Sequence, residues 1–511
     1  MRKSKEVIAL FVITIALLFY VTCADAAPKY VFLFIGDGMA SPQIHATEAY
    51  LASLEQDDTV AGGVKAVNLT MSRFPVHGMQ MSYANNRFIT GSAAAGTALA
   101  CGKKTNIGVI AMDPDGINPY TSIAELAKEK GMKVGIISSV SIDHATPAVF
   151  YAHQPCRNNY EQIGFELLNK NFDYFGGGGF RVNKWNSEQY ADMTNEERYQ
   201  VVEDTAVNNG FTYVDTRSEF DALNRNSGRV IAVNPYLDGS NAIPYALNRK
   251  EASGSGEAYE GSISLAEFTK KGIKLLKNRD GFFMMVEGGK IDWACHANDA
   301  RTAIDDIIAF DNAVKVAVNF AIKHPRNTLI VVTGDHECGG MTLGFAGTAY
   351  ESYYEKLALQ TVAYDDFDNI VLEAYKESHD PAPEGIDDDM WEIILDNFGM
   401  DGANLTDDEN DDLTPYEISL IEDAFDKTMH GTSNNPADED NLLYGHYNPL
   451  SVSLTHLLNR KAGLSWTSFS HTAVPVPVFA LGCKSRSFNG YYDNTAIARK
   501  LARAMGVSLG N

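Results

Sequence analysis

Five short apolar runs, each ending at a glycine or a polar residue and followed by a helix-like stretch, constrain this chain more than any other feature. They cover residues 30–35, 133–137, 282–286, 328–332 and 476–481. A strand that is apolar on both faces must be covered on both, which is the situation of a central strand in a parallel sheet. The alternation of such runs with helical segments predicts an α/β fold: a three-layer sandwich with a largely parallel central sheet and helices on both faces. Helix starts are as clearly marked. Ser122 with Glu125, Thr194 with Glu197, Ser264 with Glu267, and Thr414-Pro415 with Glu417 have the spacing at which a hydroxyl and a carboxylate satisfy each other's backbone amides. Residues 298–324 repeat apolar positions at helical spacing with acidic residues between them, the pattern of a long helix with one face on the sheet.

Charge separates one region from this body. The 511 residues carry a formal charge of −24, and residues 361–430 hold 22 acidic residues against only Lys376 and Lys427, so −20 of the total lies there. An acid excess of this size excludes a nucleic-acid partner, because phosphate backbones are held by clustered cations. At 45% hydrophobic and 21% charged, the composition is that of a globular chain. Residues 346–460 read as an acidic, mainly helical insertion within a main domain spanning 27–511, folded because it contains apolar helical pieces at 390–398 and 415–429. The run Asp407-Asp408-Glu409-Asn410-Asp411-Asp412 lacks the central glycine and terminal glutamate of a calcium-binding loop and reads as a solvated acidic loop.

At the start of the chain, Arg2, Lys3 and Lys5 precede an apolar run over 7–21, and Ala24-Asp25-Ala26 offers small residues where a signal peptidase reads them. This predicts a signal peptide over 1–26, cleaved after Ala26, and a secreted or periplasmic protein. The run is shorter than the roughly 18 to 20 residues of a spanning helix, so no membrane span is expected after cleavage. The mature chain keeps Cys101, Cys156, Cys295, Cys338 and Cys483. An odd number leaves at least one thiol out of any intramolecular pairing, and the spacing fixes no connectivity. Cys295 and Cys338 lie close in sequence to histidines that read below as metal ligands, which leaves each open as a soft ligand or a small buried hydrophobe.

Open parallel sheets bind ligands beyond the carboxyl ends of their strands. Here those ends are rich in metal-ligand types. The first run leads into Gly36-Asp37-Gly38; the run at 282–286 leads into Glu287-Gly288-Gly289-Lys290-Ile291-Asp292, with His296 four residues on; the run at 328–332 leads into Gly334-Asp335-His336; and a late segment supplies Ser470-His471-Thr472. Mixed Asp and His suit Zn2+, whereas oxygen-only sets suit Mg2+. A single aspartate after a strand is commonly a helix cap, but several such pieces at successive strand ends point to a metal centre. Ser92, in Gly91-Ser92-Ala93-Ala94-Ala95-Gly96, opens an alanine-rich segment whose N-terminal amides and positive dipole end suit a phosphoryl group. Taken alone it reads as an N-cap serine; beside a metal centre it reads as a nucleophile.

Together these residues resemble an alkaline phosphatase of the secreted bacterial type, over residues 30–344 and again from about 470. In that family a serine attacks the phosphoryl group between two zinc ions, with a magnesium ion nearby. The resemblance implies that Asp292, His296 and His471 hold one Zn2+, and that Asp37, Asp335 and His336 hold the second beside the Ser92 oxygen. Asp37, Thr146 and Glu287 would hold one Mg2+. Arg157, downstream of Ile142-Asp143-His144-Ala145-Thr146-Pro147, would grip phosphate through its planar fork. The implied activity is metal-dependent hydrolysis of small phosphate monoesters, with broad specificity and a phosphoserine intermediate at Ser92, carried out by a homodimer.

Three positions depart from many relatives. Gly91 stands where an Asp precedes the nucleophile, and His144 and Trp293 stand where some relatives carry Asp and Lys near the third metal. Because such aspartates help pin the arginine, their loss predicts a more mobile Arg157 and weaker phosphate retention. A phosphodiesterase of the same superfamily is the alternative reading; a sulfatase is disfavoured because the chain has no Cys-x-Pro-x-Arg stretch. A non-catalytic secreted metal-binding protein is the reading from outside the enzymes. His45, His77, His153 and His324 match no ligand position and read as structural or exposed.

Overall fold

The computed structural model describes residues 27–55, 67–250, 259–379, 382–402, 413–431 and 437–510. The main sheet is built from β1 (Tyr30–Gly36), β2 (Val76–Met81), β3 (Lys133–Ser138), β4 (Tyr174–Gly177), β5 (Phe211–Val214), β6 (Arg229–Val233), β7 (Phe282–Gly288) and β8 (Thr328–Gly334). Two short antiparallel ribbons follow, β9 (Glu337–Cys338) with β12 (His471–Thr472) and β10 (Thr342–Leu343) with β11 (Leu464–Ser465), before β13 (Val476–Gly482) and β14 (Gly490–Asp493) complete the sheet. The order is β14-β2-β13-β8-β1-β7-β3-β4-β6-β5. Only β13 runs antiparallel to its neighbours in this sheet. All five runs read from the sequence are strands, each extending one or two residues further.

Parallel register places the chemistry. β1 lies between β7 and β8, with Gly36 level with Gly288 on one side and Gly334 on the other. Asp37 and Asp335 are each the next residue after a matched glycine, so they emerge side by side at one edge. Glu287 sits opposite Ser138 of β3. Gly334 is obligatory here: a Cβ on it would lie 2.1 Å from the carbonyl oxygen of Met39, in the turn that carries Asp37 out of β1.

Side chains alternate across β1 as the pleat requires. Val31, Leu33 and Ile35 enter an apolar cluster with Leu99 and Ile123 on one face, while Phe32 and Phe34 enter another with Phe310 and Phe320 of the long helix Ala300–Lys323. Burying each such side chain contributes about 1.5–3 kcal/mol. The four helix-start signatures form in full, each hydroxyl accepting from the amide three residues on.

The acidic region is folded where it is described. Phe367, Leu372, Met390, Ile394, Phe398, Ile421 and Phe425 form a third apolar cluster, which also includes Tyr50 and Ile304 of the main body. Its helices Asp388–Phe398 and Pro415–His430 match the two apolar pieces seen in the sequence. The expected signal peptide and the run Asp407–Asp412 lie outside the described residues. Among the described residues, no helix is long and apolar enough to cross a membrane.

Candidate active site

Two groups of side chains meet at the strand ends. Asp37, Asp335 and His336 form one, with the His336 Nε2 3.3 Å from Asp37 Oδ1 and 3.3 Å from Asp335 Oδ2. The backbone amides of Gly38 and His336 donate to Asp335 Oδ1 and fix that carboxylate. Asp292, His296 and His471, joined by Cys338, form the other. Asp292 and His296 are one turn apart on the short helix Lys290–His296, which puts both on one face. His471 arrives on β12, paired with Cys338 of β9.

The imidazoles of the second group are pre-set as ligands. His296 Nδ1 lies 2.7 Å from the Phe469 carbonyl and His471 Nδ1 2.8 Å from the Thr90 carbonyl, so in the neutral tautomer each Nδ1–H donates outward and leaves Nε2 with its lone pair facing the site. The two Nε2 atoms are 3.0 Å apart, and each is 3.4 Å from an oxygen of Asp292. Two lone pairs at that separation call for a positive charge between them. Without a metal that charge is a proton: burial lowers the His296 pKa but Asp292 lifts it to about 9, and burial acts upward on the Asp292 carboxyl while His296 and His471 hold it well below the usual range.

The remaining acids lack such compensation. Burial, with Asp335 and Asp292 nearby, pushes Asp37 well above the usual carboxylate range; burial and then Asp292 push Asp335 up to about 7; burial and then Asp37 raise Glu287. One oxygen of each of Asp37, Glu287, Asp292 and Asp335 is buried without a hydrogen bond. Orphaned carboxylate oxygens in such a place are costly unless cations meet them. The mixed nitrogen and oxygen donors of the two groups fit Zn2+. A third, oxygen-only set fits Mg2+: Thr146 Oγ1 donates to Asp37 Oδ2 at 3.2 Å, and Glu287 lies close enough to Asp37 for the Asp37 charge to raise its pKa.

Ser92 is the first residue of the helix Ser92–Cys101, not its cap; Gly91 is the cap, in extended conformation. The N-cap reading of the serine is thereby corrected. Its Oγ lies 3.4 Å from His336 Nε2, and the residue is buried. All ten helix residues are buried, and Gly96 faces Val149 so closely that a Cβ would come within 3.1 Å. The small side chains thus let the serine helix pack against the segment that carries Thr146.

Arg157, expected to be mobile, has a partner. Its Nη2 donates to His144 Nε2 at 2.9 Å, and its backbone amide donates to the Gly108 carbonyl. Burial, Arg157 and Arg181 hold His144 well below its ordinary pKa, so the ring is neutral and can accept this bond. Trp293 lies edge-on to His144, with ring centroids 5.6 Å apart. The departure from an aspartate at position 144 therefore exchanges one anchor for another.

Sequence reasoning missed some of the surroundings. Ser138 hydrogen-bonds Glu287. Glu337 accepts from Gln43, Gly340, Met341 and Thr472, tying β9 to β12 behind the histidines. Cys338 is both fully buried and within the donor group, its Sγ 3.5 Å from the Asp292 carbonyl. Their place beside ligand-bearing strand ends was the available signal. All five described cysteines are free.

His153, four residues before Arg157, is structural. Its Nδ1 faces Glu166 at 3.7 Å and its Nε2 faces Glu125 at 3.6 Å. Burial lowers its pKa, but the neighbouring carboxylates of Glu125 and Glu166 prevail and lift it to about 9. With a folded value above the ordinary 6.5, its stabilising contribution is fully present below pH 6.5 and is lost as pH rises through about 9. The melting temperature should therefore fall across that window more steeply in the unaltered protein than in His153→Gln. Parallel curves would contradict this assignment.

Comparison with known proteins agrees with the geometry. The family model described as alkaline phosphatase matches residues 28–507. The chain is 30% identical over 482 residues to alkaline phosphatase 3 of Bacillus subtilis, covering 93% of this chain and 89% of that protein. It is 26% identical to the repressible alkaline phosphatase of Saccharomyces cerevisiae, over 96% of this chain and 84% of the relative. Among solved structures, the cold-active alkaline phosphatase from the psychrophile Shewanella sp. superposes with a TM-score of 0.72 at 25% identity, covering 93% of this chain and 99% of that one.

Proposed function

The chain belongs to the alkaline phosphatase family and is a phosphoric monoester hydrolase, and from that premise we propose that it cleaves small phosphate monoesters of broad range through a phosphoserine at Ser92. The observation that carries this reading is the position of Ser92 Oγ, at the N-terminus of a buried helix and 3.4 Å from a histidine of one donor group. Two Zn2+, one held by Asp292, His296 and His471 and one by Asp37, Asp335 and His336, with Mg2+ held by Asp37, Thr146 and Glu287, would supply Lewis-acid charge that lowers the serine pKa and offsets the phosphoryl oxygens.

The chain's own groups do the rest. Ser92 Oγ forms the bond to phosphorus as the ester oxygen leaves with its alcohol; water then attacks the phosphoserine and frees inorganic phosphate. The amides opening the serine helix and the Arg157 guanidinium donate to the non-bridging oxygens. His144, neutral and accepting from Nη2, directs that guanidinium. Because these contacts address the phosphoryl group and not the alcohol, they support broad specificity.

Two experiments test the reading. Comparing 4-nitrophenyl phosphate with bis(4-nitrophenyl) phosphate should favour the monoester by on the order of 10³-fold or more, since a diester leaves the fork and cations short of an anionic oxygen. Equal rates would favour the phosphodiesterase alternative. Gly91→Asp should tighten inhibition by inorganic phosphate: a Cβ at Gly91 meets only Ile107, at 3.9 Å, so the position has room for a Cβ, and the family resemblance implies that an aspartate there helps to pin Arg157. An unchanged inhibition constant would contradict it.

We also propose that residues 1–26 are a signal peptide cleaved after Ala26, that the protein is secreted or periplasmic, that residues 346–460 are an insertion in the catalytic domain, and that the enzyme is a homodimer. The apolar run over 7–21 and the charge step at residue 361 support the first three, and the family resemblance supports the last.

A further inference from the structure

Lys290 opens the helix that bears Asp292, Trp293 and His296, and its side chain is 1% exposed. A lysine taken fully out of water costs several kcal/mol unless it is paired. Here it hydrogen-bonds Asp238 and lies 3.7 Å from Asp365 Oδ2. Its ammonium is 3.5 Å from the centre of the Tyr245 ring and 5.2 Å from that of Trp293. Its backbone amide donates to Ser139 Oγ at 3.2 Å, so the side chain is held from both ends.

Asp365 belongs to the acidic region, and its surroundings show that this region is docked on the main body at this point. Asn248 accepts from the Ala363 amide at 2.8 Å and donates to Asp365, Tyr259 donates to Asp366 at 2.8 Å, and Gln360 donates to Asp299, the cap of the long helix. A continuous line of contacts then leads inward: Asp365 to Lys290 at 3.7 Å, Lys290 to the Trp293 ring at 5.2 Å, Trp293 to His144 at 5.6 Å, and His144 to Arg157 at 2.9 Å. Only the first residue of this line comes from the acidic region, and the last is the arginine placed to grip phosphate.

We propose that Lys290, clamped by Asp238 and by Asp365 of the acidic region, is a positioning residue for phosphate: it holds Trp293 against His144 and thereby sets the direction of the Arg157 guanidinium. The acidic region thus helps tune the clamp from outside the metal centre. The proposal rests on the reading that Arg157 grips the phosphoryl group. It differs from a purely structural ion pair in what it changes. A slackened clamp raises the inhibition constant of phosphate and KM together while kcat is held or rises, because weaker retention speeds product release. A merely loosened fold would instead lower kcat and the melting temperature with the phosphate constant unmoved.

The test uses the full chain loaded with zinc and magnesium, with inorganic phosphate as the probe. Asp365→Asn, which keeps shape and removes one charge, should raise the phosphate inhibition constant about 3- to 10-fold, within the range of coupling that mutations along such a line of contacts carry. In protein labelled with 5-fluorotryptophan, the ¹⁹F resonance of Trp293, identified by its loss in Trp293→Phe, should shift in Asp365→Asn while that of Trp185 stays in place. Lys290→Arg should keep phosphate binding near that of the unaltered protein, and Lys290→Met should not. In an Arg157→Ala background, Asp365→Asn should weaken phosphate no further. An unchanged phosphate constant in Asp365→Asn, with Arg157→Ala still weakening phosphate, overturns the proposal alone. No effect of Arg157→Ala overturns the clamp reading beneath it.

Discussion

Ser92→Ala is expected to reduce monoester hydrolysis by on the order of 10³-fold or more while leaving zinc content and fold intact. The serine is buried at the first position of a helix whose interior is alanine and glycine, so an alanine there keeps the packing and loses one hydroxyl. Losing that hydroxyl's 3.4 Å contact with His336 costs at most about 0.5–1.5 kcal/mol of stability. The carboxylates and imidazoles of both donor groups remain in place, which is why metal content should not follow activity down. Residual turnover would come from water attacking a phosphoryl group still held by Arg157 and the helix amides. Radiolabelled phosphate trapped on the protein at acid pH should map to the peptide containing Ser92 and be absent from the variant. A variant that turns over at nearly the unaltered rate, or a label on another residue, would remove Ser92 from the reaction.

The central sheet was legible because its inner strands are buried on both faces and so are written as unbroken apolar runs; β1 with β7 and β8 could be read directly. The outer strands were not. β4 is Tyr-Phe-Gly-Gly, too short and glycine-rich to signal a strand, and β2 mixes His77 and Gln80 into its apolar positions, as a strand near the sheet's edge does. Ligand candidates were legible because parallel register converts sequence position into proximity: Asp37 and Asp335 each follow a glycine of adjacent strands. His471 is different. It is brought in by β12 pairing with β9, a contact between residues 133 positions apart that no local pattern announces. The same holds for His144 against Arg157. Sequence suggested a slack arginine because it showed only the missing aspartates, whereas the structure supplies a buried neutral imidazole in their stead. Lys290 carried no signal of its own, since a lysine after Gly-Gly reads as solvent-facing until Asp238 and Asp365 are found around it.

Metal removal is the other change with a large expected effect. Four buried carboxylates, each with an oxygen that makes no hydrogen bond, converge with three imidazoles in a site that has too little positive charge of its own. Arg157 is engaged with His144, and His336 is held neutral chiefly by burial. Without cations the site repels a phosphate dianion, and the serine hydroxyl keeps the high pKa of an ordinary alcohol. Loss of metal should also lower the melting temperature, because ions that bind only the folded chain stabilise it. The decisive measurement is hydrolysis of 4-nitrophenyl phosphate at alkaline pH before and after exhaustive chelation, with metal content determined on the same samples, followed by return of zinc and magnesium separately and together. Activity should fall by at least about 100-fold on chelation, return substantially with zinc, remain low with magnesium alone, and recover fully with both. Full activity in protein shown to be free of zinc and magnesium would contradict the account at its centre.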